Sequence, residues 1–394
     1  VIWKFCDRYF HFTLKMVVIF LYLNLFTTLG TIMKRLLLVG GGHAHVHVVK
    51  KLKELPIDGV EVMLLSPSQY QYYSGMFPGY AEGLYDKSQI SINLESLAKA
   101  SGVSWVKAAV TAIDPLQKKV LTSDGEMVSF DVISFNIGSL TAGINVPGVT
   151  EHAYRMKPNY HFVEVIDEVR DADNVVVVGG DVAGIETSLS LASWRTANHI
   201  HTPVTLMSAD RLLPNKSKRI SAKIEAIVMQ NGIHLVTSET VSHVKRNKVV
   251  TSSNKEIHFD KLVWLAGSKA PDLFKTSKLP VDDHGYLKVA DTLQVKEYPF
   301  IFGVGDCASI ADDPAVDREK GHAVRQGRLL FENLKGFMET GEGELYQPKK
   351  NELSIVSIGN KKGLLLYKGY SMTGRWAWYL KNWIDSKLVK QYKK

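Results

Sequence analysis

Two glycine-rich turns follow runs of apolar residues in this 394-residue chain. Glycines let a chain turn sharply and bring backbone N–H groups against a phosphate, which then lies at the N-terminus of the next helix. The members of the first turn are Gly40, Gly41, Gly42, His43 and Ala44. His45 then stands where the usual pattern has a third glycine. Because one such turn is weak evidence by itself, the prediction of a pyrophosphate site depends on its partner.

The second turn comes much later in the chain and follows four consecutive valines. It contains Gly179, Gly180 and Gly184, but Asp181 stands where the middle glycine of the pattern belongs. Two such units in one chain predict two dinucleotide-binding sites. The carboxylate of Asp181 adds bulk and negative charge where a pyrophosphate would approach, at a cost of about 1 kcal/mol or more. That cost puts nucleotide binding at the second site in doubt and leaves the fold intact.

Polar residues or glycines follow three further apolar runs, where strands of a nucleotide-binding sheet would end. They are Ser66, Asn136, Gly138 and Asp306. The second strand of such a sheet often ends in an acidic residue that binds the ribose hydroxyls, and Ser66 offers a weaker hydrogen bond there. Asp306 could accept hydrogen bonds from cofactor hydroxyls. An aspartate that caps the next helix would have the same sequence signature, so both interpretations stay open here.

Residues 70–80 contain four tyrosines and one phenylalanine, together with Met76. This loop is too aromatic for an ordinary solvent loop. It either packs against a flat ring such as an isoalloxazine or covers the protein core, and the sequence does not separate the two.

Two later segments have helical character. Residues 321–335 predict a helix whose first turn contains Arg325 and Gln326, and its N-terminal dipole could face an electron-rich ring edge. Residues 375–394 place tryptophans and aliphatic residues at helical spacing with lysines between them. A basic amphipathic helix of this kind is typical of a membrane interface, but it could also pack on the core of the protein.

The formal net charge is +8, and five lysines lie within residues 381–394. This concentration favours an anionic membrane surface over a nucleic-acid groove as the partner. The two cysteines, Cys6 and Cys307, form no C-x-x-C pair, so neither a disulfide framework nor a redox dithiol is expected. We interpret Cys307 as a small buried residue, and we predict no metal site.

These patterns divide the chain into five segments. Residues 1–32 are almost entirely apolar after basic flanks, so they represent a leader or anchor, or a stretch upstream of a true start at Met33. The others are an FAD-binding domain over 33–146 and 290–340, an interrupting NAD(P)-binding domain over 147–289, and C-terminal strands with an amphipathic helix over 341–394. The predicted fold class is α/β, with two Rossmann-like dinucleotide-binding domains.

The order of these motifs resembles the pyridine nucleotide-disulfide oxidoreductase superfamily, and without paired cysteines it is most similar to type II NADH dehydrogenases. The phrases Gly-Gly-Gly-His-Ala-His, Tyr-Ser-Gly-Met-Phe-Pro-Gly, Asn-Ile-Gly-Ser and Ala-Val-Arg-Gln-Gly resemble a subgroup of this branch, some members of which are fused to selenophosphate synthetase. The resemblance covers residues 33–394, and no synthetase domain is present in them.

The resemblance implies FAD in the first domain. Its pyrophosphate would lie over residues 40–44, its ribose near Ser66, its ribityl chain at Asp306, and its pyrimidine edge by Arg325 and Gln326. The glycines of the second turn would bind NAD(P)H, and Glu186 would lie near the nicotinamide and the flavin.

The expected function is an FAD-dependent NAD(P)H:quinone oxidoreductase on the inner face of the cell membrane, held there by residues 375–394. A homodimer is possible. Three departures from the family pattern limit this hypothesis, and the first is Asp181. The glutamine-glutamate signature of the quinone site is missing from 321–326. Strand 203–208 ends without a clean acidic residue for the ribose and without an arginine cluster for a 2′-phosphate, although Arg211 is nearby, so NADH is only favoured over NADPH. The alternatives are a flavoprotein with another donor or acceptor, in selenium or sulfur metabolism, and a non-enzymatic flavin-bound redox sensor.

Overall fold

Two parallel β-sheets carry the two glycine turns in the computed structural model, which describes residues 33–310, 322–341, 343–346 and 353–393. The predicted leader or anchor at residues 1–32 lies outside the described residues. Residues 311–321, which belong to the second part of the predicted FAD-binding domain, and Lys394 lie outside them too.

The elements follow one another in an order that recurs in the two halves of the chain. Up to residue 135 they are β1 Lys34–Val39, α1 His43–Glu54, β2 Val60–Leu65, β3 Tyr70–Tyr72, α2 Phe77–Ala81, α3 Lys87–Ile90, β4 Ser91–Asn93, α4 Leu94–Ala100, β5 Ser104–Val106, β6 Val110–Asp114, β7 Lys119–Thr122, β8 Met127–Ser129 and β9 Val132–Phe135. From residue 140 to 276 they are β10 Leu140–Thr141, α5 Val149–His152, β11 Ala153–Arg155, α6 Phe162–Val169, β12 Val175–Val178, α7 Val182–Ala197, β13 Thr205–Met207, α8 Lys218–Gln230, β14 His234–Val236, β15 Val241–Lys245, β16 Lys248–Thr251, β17 Glu256–His258, β18 Lys261–Trp264, β19 Ser268–Lys269 and α9 Asp272–Thr276. The remaining ones are β20 Leu287–Val289, β21 Gln294–Val295, β22 Tyr298–Gly303, β23 Ala308–Ile310, α10 His322–Glu339, β24 Ser354–Ser357, β25 Gly363–Tyr367, β26 Tyr370–Gly374 and α11 Arg375–Gln391.

The first sheet has the strand order β21-β22-β9-β1-β2-β5, and its neighbours are parallel except for β21 with β22. The second sheet has the order β11-β18-β12-β13-β14 and is parallel throughout. The first sheet thus takes β9 from before the second sheet and β22 from after it. This arrangement confirms the predicted fold class, in which one Rossmann-like domain interrupts the other.

Each sheet is buried on both faces, which explains the unbroken apolar runs in its central strand. Leu36 and Leu38 of β1 pack toward α1 and α10, whereas Leu37 and Val39 pack toward the antiparallel sheet of β6, β7 and β8. The valines of β12 alternate in the same way between α7 and the antiparallel sheet of β15, β16 and β17. The two glycine-turn units of the sequence therefore belong to two copies of one three-layer arrangement.

The C-terminal strands β24, β25 and β26 form an antiparallel sheet that contacts α7 and is covered by α11. The sequence patterns predict β24, β25 and α11 but miss β26 and the short helix α2. The sequence does not indicate α2 because it contains Pro78 and Gly79, which usually mark a turn. Proline is tolerated here because it lies in the first turn of the helix. Among the described residues, no helix is both long and apolar enough to cross a bilayer.

Candidate functional site

The carboxyl ends of β1, β2, β9 and β22 lie at one edge of the first sheet and bring the predicted cofactor-binding residues together. Residues 40–42 follow β1, Ser66 follows β2, Asn136 follows β9, and Asp306 lies just beyond β22. The chain runs from β1 to β2 on one side and later to β9 on the other side. The crevice between β1 and β9 is therefore the topological switch point, which is where open α/β sheets bind ligands.

Asn136 organises this edge from behind the glycine turn. Its Oδ1 accepts hydrogen bonds from the N–H groups of Ala44 (3.0 Å) and His45 (3.4 Å), and its Nδ2 donates to the carbonyl of Val304 (3.0 Å). Its backbone oxygen accepts from the N–H of Gly42 at 3.2 Å. Asn136 thus supplies the side-chain cap that Gly42 lacks at the start of α1. The side chain of Asn136 thus holds the turn in place, and its contribution to cofactor binding stays a prediction.

The glycines of the first turn are required by this close packing. A Cβ on Gly40 would lie 2.4 Å from the Asn136 carbonyl oxygen, and a Cβ on Gly42 would lie 2.2 Å from Asn136 Oδ1. Gly40 also has a φ of +94°, which side chains other than glycine rarely adopt. A Cβ on Gly41 would meet the side chain of Leu94 at 2.3 Å. The N–H groups of Gly40, Gly42, Ala44 and His45 already donate within the protein, so a phosphate would meet those of Gly41 and His43.

His45, at the third glycine position, is fully buried and joins the turn to β9. Its Nδ1 lies 2.7 Å from the carbonyl oxygen of Gly40, and its Nε2 lies 2.9 Å from Ser134 Oγ. A carbonyl only accepts, so Nδ1 carries the hydrogen, and Ser134 donates to Nε2. Burial lowers the pKa of His45 to about 4, so the ring is neutral near pH 7. In the second turn the matching Gly184 has no room for such a ring, because a Cβ there would lie 2.0 Å from the carbonyl of Gly179.

His43, the first residue of α1, carries a buried polar ring between the glycine turn and the aromatic loop. Burial lowers its pKa to about 4, and its ring packs edge-on against Tyr73 at 5.0 Å between centroids. The amide nitrogen of Gln71 lies 3.5 Å from Nδ1 and can only donate, which leaves the hydrogen on Nε2. This Nε2 is buried and has no hydrogen-bond partner within the described part of the protein. This donor lies near the N-terminus of α1, where a phosphate would bind, but the protein covers it in this structure.

The other predicted cofactor residues of the first sheet lie at the same edge but differ in solvent exposure and in hydrogen bonding. Asp306 is exposed in a 3₁₀ turn, Gly305–Cys307, and Gln326 accepts the Gly305 N–H at 2.8 Å, which ties this turn to α10. Arg325 is half-buried beside Gln326. Ser66 is buried and its hydroxyl donates to the Ser68 carbonyl at 2.9 Å. The Ser66 oxygen can still accept a hydrogen bond while its hydroxyl donates to Ser68, and a ribose contact of Ser66 stays a prediction.

Gly138, the last predicted residue of this group, adopts a φ of +70° and has open space around the position of a Cβ. It lies just before the point where the chain leaves the first sheet. Its role in binding stays a prediction.

The aromatic loop at residues 70–80 packs mostly inside the protein. Tyr72 and Tyr80 are buried, and Phe77 stacks on Phe162 with ring centroids 3.6 Å apart. Met76 is also buried and lies against α11, where it lines a cavity. The interpretation of this loop as a cover on the core is therefore confirmed for Tyr72, Tyr80 and Phe77. A contact between Met76 and a flavin stays a prediction.

A buried polar cluster that the sequence patterns missed connects this loop to α11. The hydroxyl of Tyr73 donates to Asp385 Oδ1 at 3.1 Å, and Lys381 Nζ lies 2.5 Å from Asp385 Oδ2. Lys381 also donates to the carbonyl of Gly75. Burial and the Asp385 charge raise the pKa of Tyr73 far above its usual range. The lysine and aspartate are four residues apart on one helix face, a spacing that could have suggested an ion pair.

The second glycine turn opens α7 at the carboxyl edge of the second sheet. A Cβ on Gly180 would lie 2.1 Å from Ser208 Oγ, and one on Gly179 would lie 2.6 Å from the carbonyl of Leu265. These glycines bring β12, β13 and β18 together around the turn, as the first turn does with β1, β2 and β9.

Asp181 is the residue before α7, and its carboxylate is exposed. Its side chain makes no capping hydrogen bond to the helix. The carboxylate thus remains available to repel an approaching pyrophosphate, or to turn away from it.

We predict that Asp181→Gly binds NADH about fivefold more tightly than the natural chain, equivalent to the removal of about 1 kcal/mol of repulsion. Titration of NADH fluorescence measures the affinity. Asp181→Asn, which removes the charge and keeps the size, should give most of the gain. Unchanged affinity in both variants would mean that the carboxylate points away from the nucleotide.

Arg211 is the arginine nearest to the end of β13, where the adenosine ribose of a bound nucleotide lies in this fold. Its guanidinium donates to Ser221 Oγ at 2.8 Å and to the carbonyls of Pro214 and Lys216. The Arg211 guanidinium is thus held by groups of the protein itself.

Glu186 lies on α7 and is almost fully buried. Its Oε1 accepts a hydrogen bond from the N–H of Ser357 at 2.9 Å, which joins α7 to β24 of the C-terminal sheet. The predicted position of Glu186 near nicotinamide and flavin stays a prediction.

Cys307 is fully buried, as predicted, and burial raises the pKa of its thiol to about 12. A thiol that stays protonated and inaccessible is a poor nucleophile. In the described ranges it is the single cysteine, so no thiol relay can be assembled from them.

The geometry agrees with comparisons to known proteins. Residues 34–327 match the family model described as pyridine nucleotide-disulphide oxidoreductase, and the chain belongs to this family. It is an oxidoreductase by class, in the branch similar to type II NADH dehydrogenases.

Two curated relatives illustrate that branch. The chain is 23% identical over 348 residues to the NADH dehydrogenase-like protein YutJ of Bacillus subtilis, which covers 87% of this chain and 95% of the relative. It is 22% identical over 385 residues to the type II NADH:quinone oxidoreductase of Staphylococcus aureus, with coverage of 90% and 95%.

Solved structures share the fold at low identity. The sulfide:quinone oxidoreductase of Aquifex aeolicus superposes with a TM-score of 0.74 at 17% identity, with 91% of each chain covered. NDH2 of Plasmodium falciparum in complex with NADH gives a TM-score of 0.72 at 16% identity and covers 92% of this chain and 99% of that chain.

Proposed function

We propose that this protein is an FAD-dependent NADH:quinone oxidoreductase. The observation that carries the proposal is the presence of two switch-point crevices in one chain, each with a glycine turn that opens a helix. Two such crevices suit two dinucleotides, of which one stays bound as a cofactor and the other binds and leaves as a substrate. Names of relatives in the same branch, which refer to NADH and quinone, support the same activity.

The first crevice would hold FAD, whose isoalloxazine ring accepts a hydride and passes on electrons. The backbone N–H groups of Gly41 and His43, in the turn at residues 40–44, and the buried Nε2–H of His43 would bind the pyrophosphate. Asp306 is exposed at the same sheet edge and can accept hydrogen bonds from ribityl hydroxyls. Arg325 and Gln326, in the first turns of α10, would orient the pyrimidine edge, where the helix dipole stabilises negative charge.

The second crevice would hold NADH. Gly179, Gly180 and Gly184 would leave room for its pyrophosphate, and Glu186 would lie beside the nicotinamide. The inward direction of Arg211 supports NADH as the donor.

A cavity of about 480 Å³ between the aromatic loop and α11 is the best candidate for the acceptor site. Met76, Leu84 and Tyr85 line one side of it, and Trp378 and Asn382 line the other. These apolar and aromatic side chains suit a quinone ring. Lysines also line the cavity, and Tyr85, whose hydroxyl donates to Asn382 Oδ1 at 2.5 Å, supplies a polar group. We propose that quinone enters here from a membrane surface.

The outer face of α11 supports membrane attachment. The helix buries Ala377, Trp378 and Val389, but on the opposite face Trp383 is 61% exposed. The exposed apolar residues of α11 and of the β25–β26 hairpin are Tyr367, Tyr370, Met372, Trp376, Tyr379, Leu380, Trp383 and Ile384. Lys387 lies over the Trp383 ring at 5.2 Å, so cationic and aromatic groups alternate as in a peripheral membrane helix. Localisation at the inner face of the cell membrane and assembly as a homodimer are part of this proposal.

We predict that Trp383→Ser combined with Ile384→Ser weakens binding to vesicles of anionic phospholipid by about tenfold or more, because apolar area drives interfacial binding. Vesicle co-sedimentation measures the partition. Leu116→Ser, at an 85% exposed position between β6 and β7, is the matched control and should bind as the natural chain does. Equal binding of all three proteins would contradict the assignment. A deletion of 375–394 is a poor test, since it also removes core residues of α11.

An anaerobic titration tests the proposed activity. FAD-loaded protein is mixed with NADH, and loss of flavin absorbance is followed before reoxidation by a menaquinone analogue. The proposal expects bleaching by NADH and recovery by quinone. It fails if millimolar NADH and NADPH both leave the flavin oxidised.

A further inference from the structure

Lys157 lies where the chain passes between the two parallel sheets. The chain passes from the first sheet to the second after β9, and it leaves the second sheet after β18. Gly138 and Ser139 follow β9, and Gly267 and Ser268 follow β18 in the same way. Both glycines have positive φ, +70° and +83°, which makes each of these points a sharp bend.

The chain passes between the two sheets at residues 138–143 and 266–270, and these two passing segments contact each other. Leu140 of β10 pairs with Lys269 of β19, and Thr141 pairs with Ser268, in an antiparallel ladder of only two residues per strand. The N–H of Ala142 donates to the carbonyl of Gly267 at 3.3 Å. So short a ladder stabilises an interface weakly, and other contacts must hold the two segments in register.

The side chain of Lys157 supplies such contacts. Its Nζ donates to Ser139 Oγ at 2.8 Å and to Ser268 Oγ at 2.6 Å. One ammonium group therefore bridges the equivalent serines of the two sheets. Lys157 itself follows β11, which pairs with β18, so it is anchored in the second sheet.

We propose that Lys157 is a positioning residue for hydride transfer: its ammonium clamps the two passing segments and so fixes the second sheet relative to the first. The inference rests on the proposed function, in which one nucleotide must meet the other across these sheets. Reacting atoms need to approach to about 3–3.5 Å, and a misplacement of about 1 Å costs roughly a hundredfold in rate. A clamp at the bends controls that approach without touching either nucleotide.

Rapid mixing of FAD-loaded Lys157→Met with NADH tests the clamp. We expect flavin reduction to be slower by about 30- to 100-fold, with NADH affinity, FAD content and quinone reoxidation each within about threefold of the natural chain. Lys157→Arg, whose guanidinium can still bridge two hydroxyls, should restore most of the rate. Lys261→Met is the control, because Lys261 lies at the opposite end of β18 and donates to Tyr154.

Hydrogen exchange gives a readout that needs no donor. Amides of residues 138–143 and 266–270 should exchange about tenfold faster in Lys157→Met than in the natural chain or in Lys261→Met. The proposal is overturned if Lys157→Met reduces its flavin at the natural rate or exchanges these amides at the natural rate. It is also overturned if Lys157→Arg is as slow as Lys157→Met in flavin reduction. Equal slowing of reduction and reoxidation, or loss of FAD, would show general damage and would also overturn it. If NADH fails to reduce even the natural protein, the proposed function fails, and the exchange measurement still decides on the clamp.

Discussion

Acidification from pH 6.5 to pH 4 is expected to remove about 3 kcal/mol from the free energy of unfolding through His45 alone. The unfolded chain takes up a proton on this histidine near pH 6.5, whereas burial in the folded protein lowers its pKa to about 4. Because the folded-state pKa is depressed, the stability from neutral His45 is complete above pH 6.5. It declines as the pH falls through this window. His43 is expected to add a similar effect, since burial lowers its pKa to about 4 as well.

Urea unfolding at pH 7 and at pH 4.5 measures the effect. His45→Gln should reduce the loss of stability between the two pH values, because Gln does not titrate there. His258→Gln, at an exposed position in β17, is the control and should behave as the natural chain does. An identical pH dependence in His45→Gln and the natural chain would contradict the assignment of a buried neutral imidazole.

Asp385→Asn is expected to lower the free energy of unfolding by about 3 kcal/mol. The change keeps the shape of the side chain but leaves the Lys381 ammonium, whose side chain is only 14% exposed, without its opposite charge. Breaking one partner of a buried pair is costly because the remaining charge stays desolvated. Tyr73 and Gly75 hold the aromatic loop to this pair, so the loop and α11 should loosen together.

Urea unfolding measures the free energy of unfolding of Asp385→Asn, and two further variants serve as controls. Asp272→Asn breaks the exposed pair with Lys269, whose nitrogen lies 2.8 Å from the carboxylate, and should cost less than about 1 kcal/mol. Lys381→Met combined with Asp385→Leu removes both charges and should recover most of the stability. A loss in Asp385→Asn no larger than that in Asp272→Asn would mean that the buried pair is not a structural anchor.

Local patterns in the sequence predict much of the fold. Four buried apolar residues before each glycine turn leave little choice but a central parallel strand, and both turns lie where expected. The carboxyl-edge positions of Ser66, Asn136 and Asp306 follow from the same rule, because residues after parallel strands meet at one edge. The family follows from the combination of these motifs in order.

The partners of individual side chains were beyond the sequence because they lie far apart in the chain. Nothing near Asn136 indicates that its amide caps α1, and nothing near Tyr73 indicates Asp385, 312 residues away. The lysines near the C-terminus look alike in sequence, but Lys381 belongs to the interior whereas Lys387 lies on the outer face of α11. Burial, and not residue type, separates such cases.

The strand order also has a consequence for folding of the protein during its synthesis on the ribosome. Strand β9 pairs with β1 early but receives its other neighbour, β22, only after the whole second sheet has been synthesised. Domains generally fold as units during synthesis, so we expect the inserted sheet to fold first as a nucleus of its own. Until β22 is made, the first sheet has an unpaired edge at β9, and such an edge is a template for pairing with another chain.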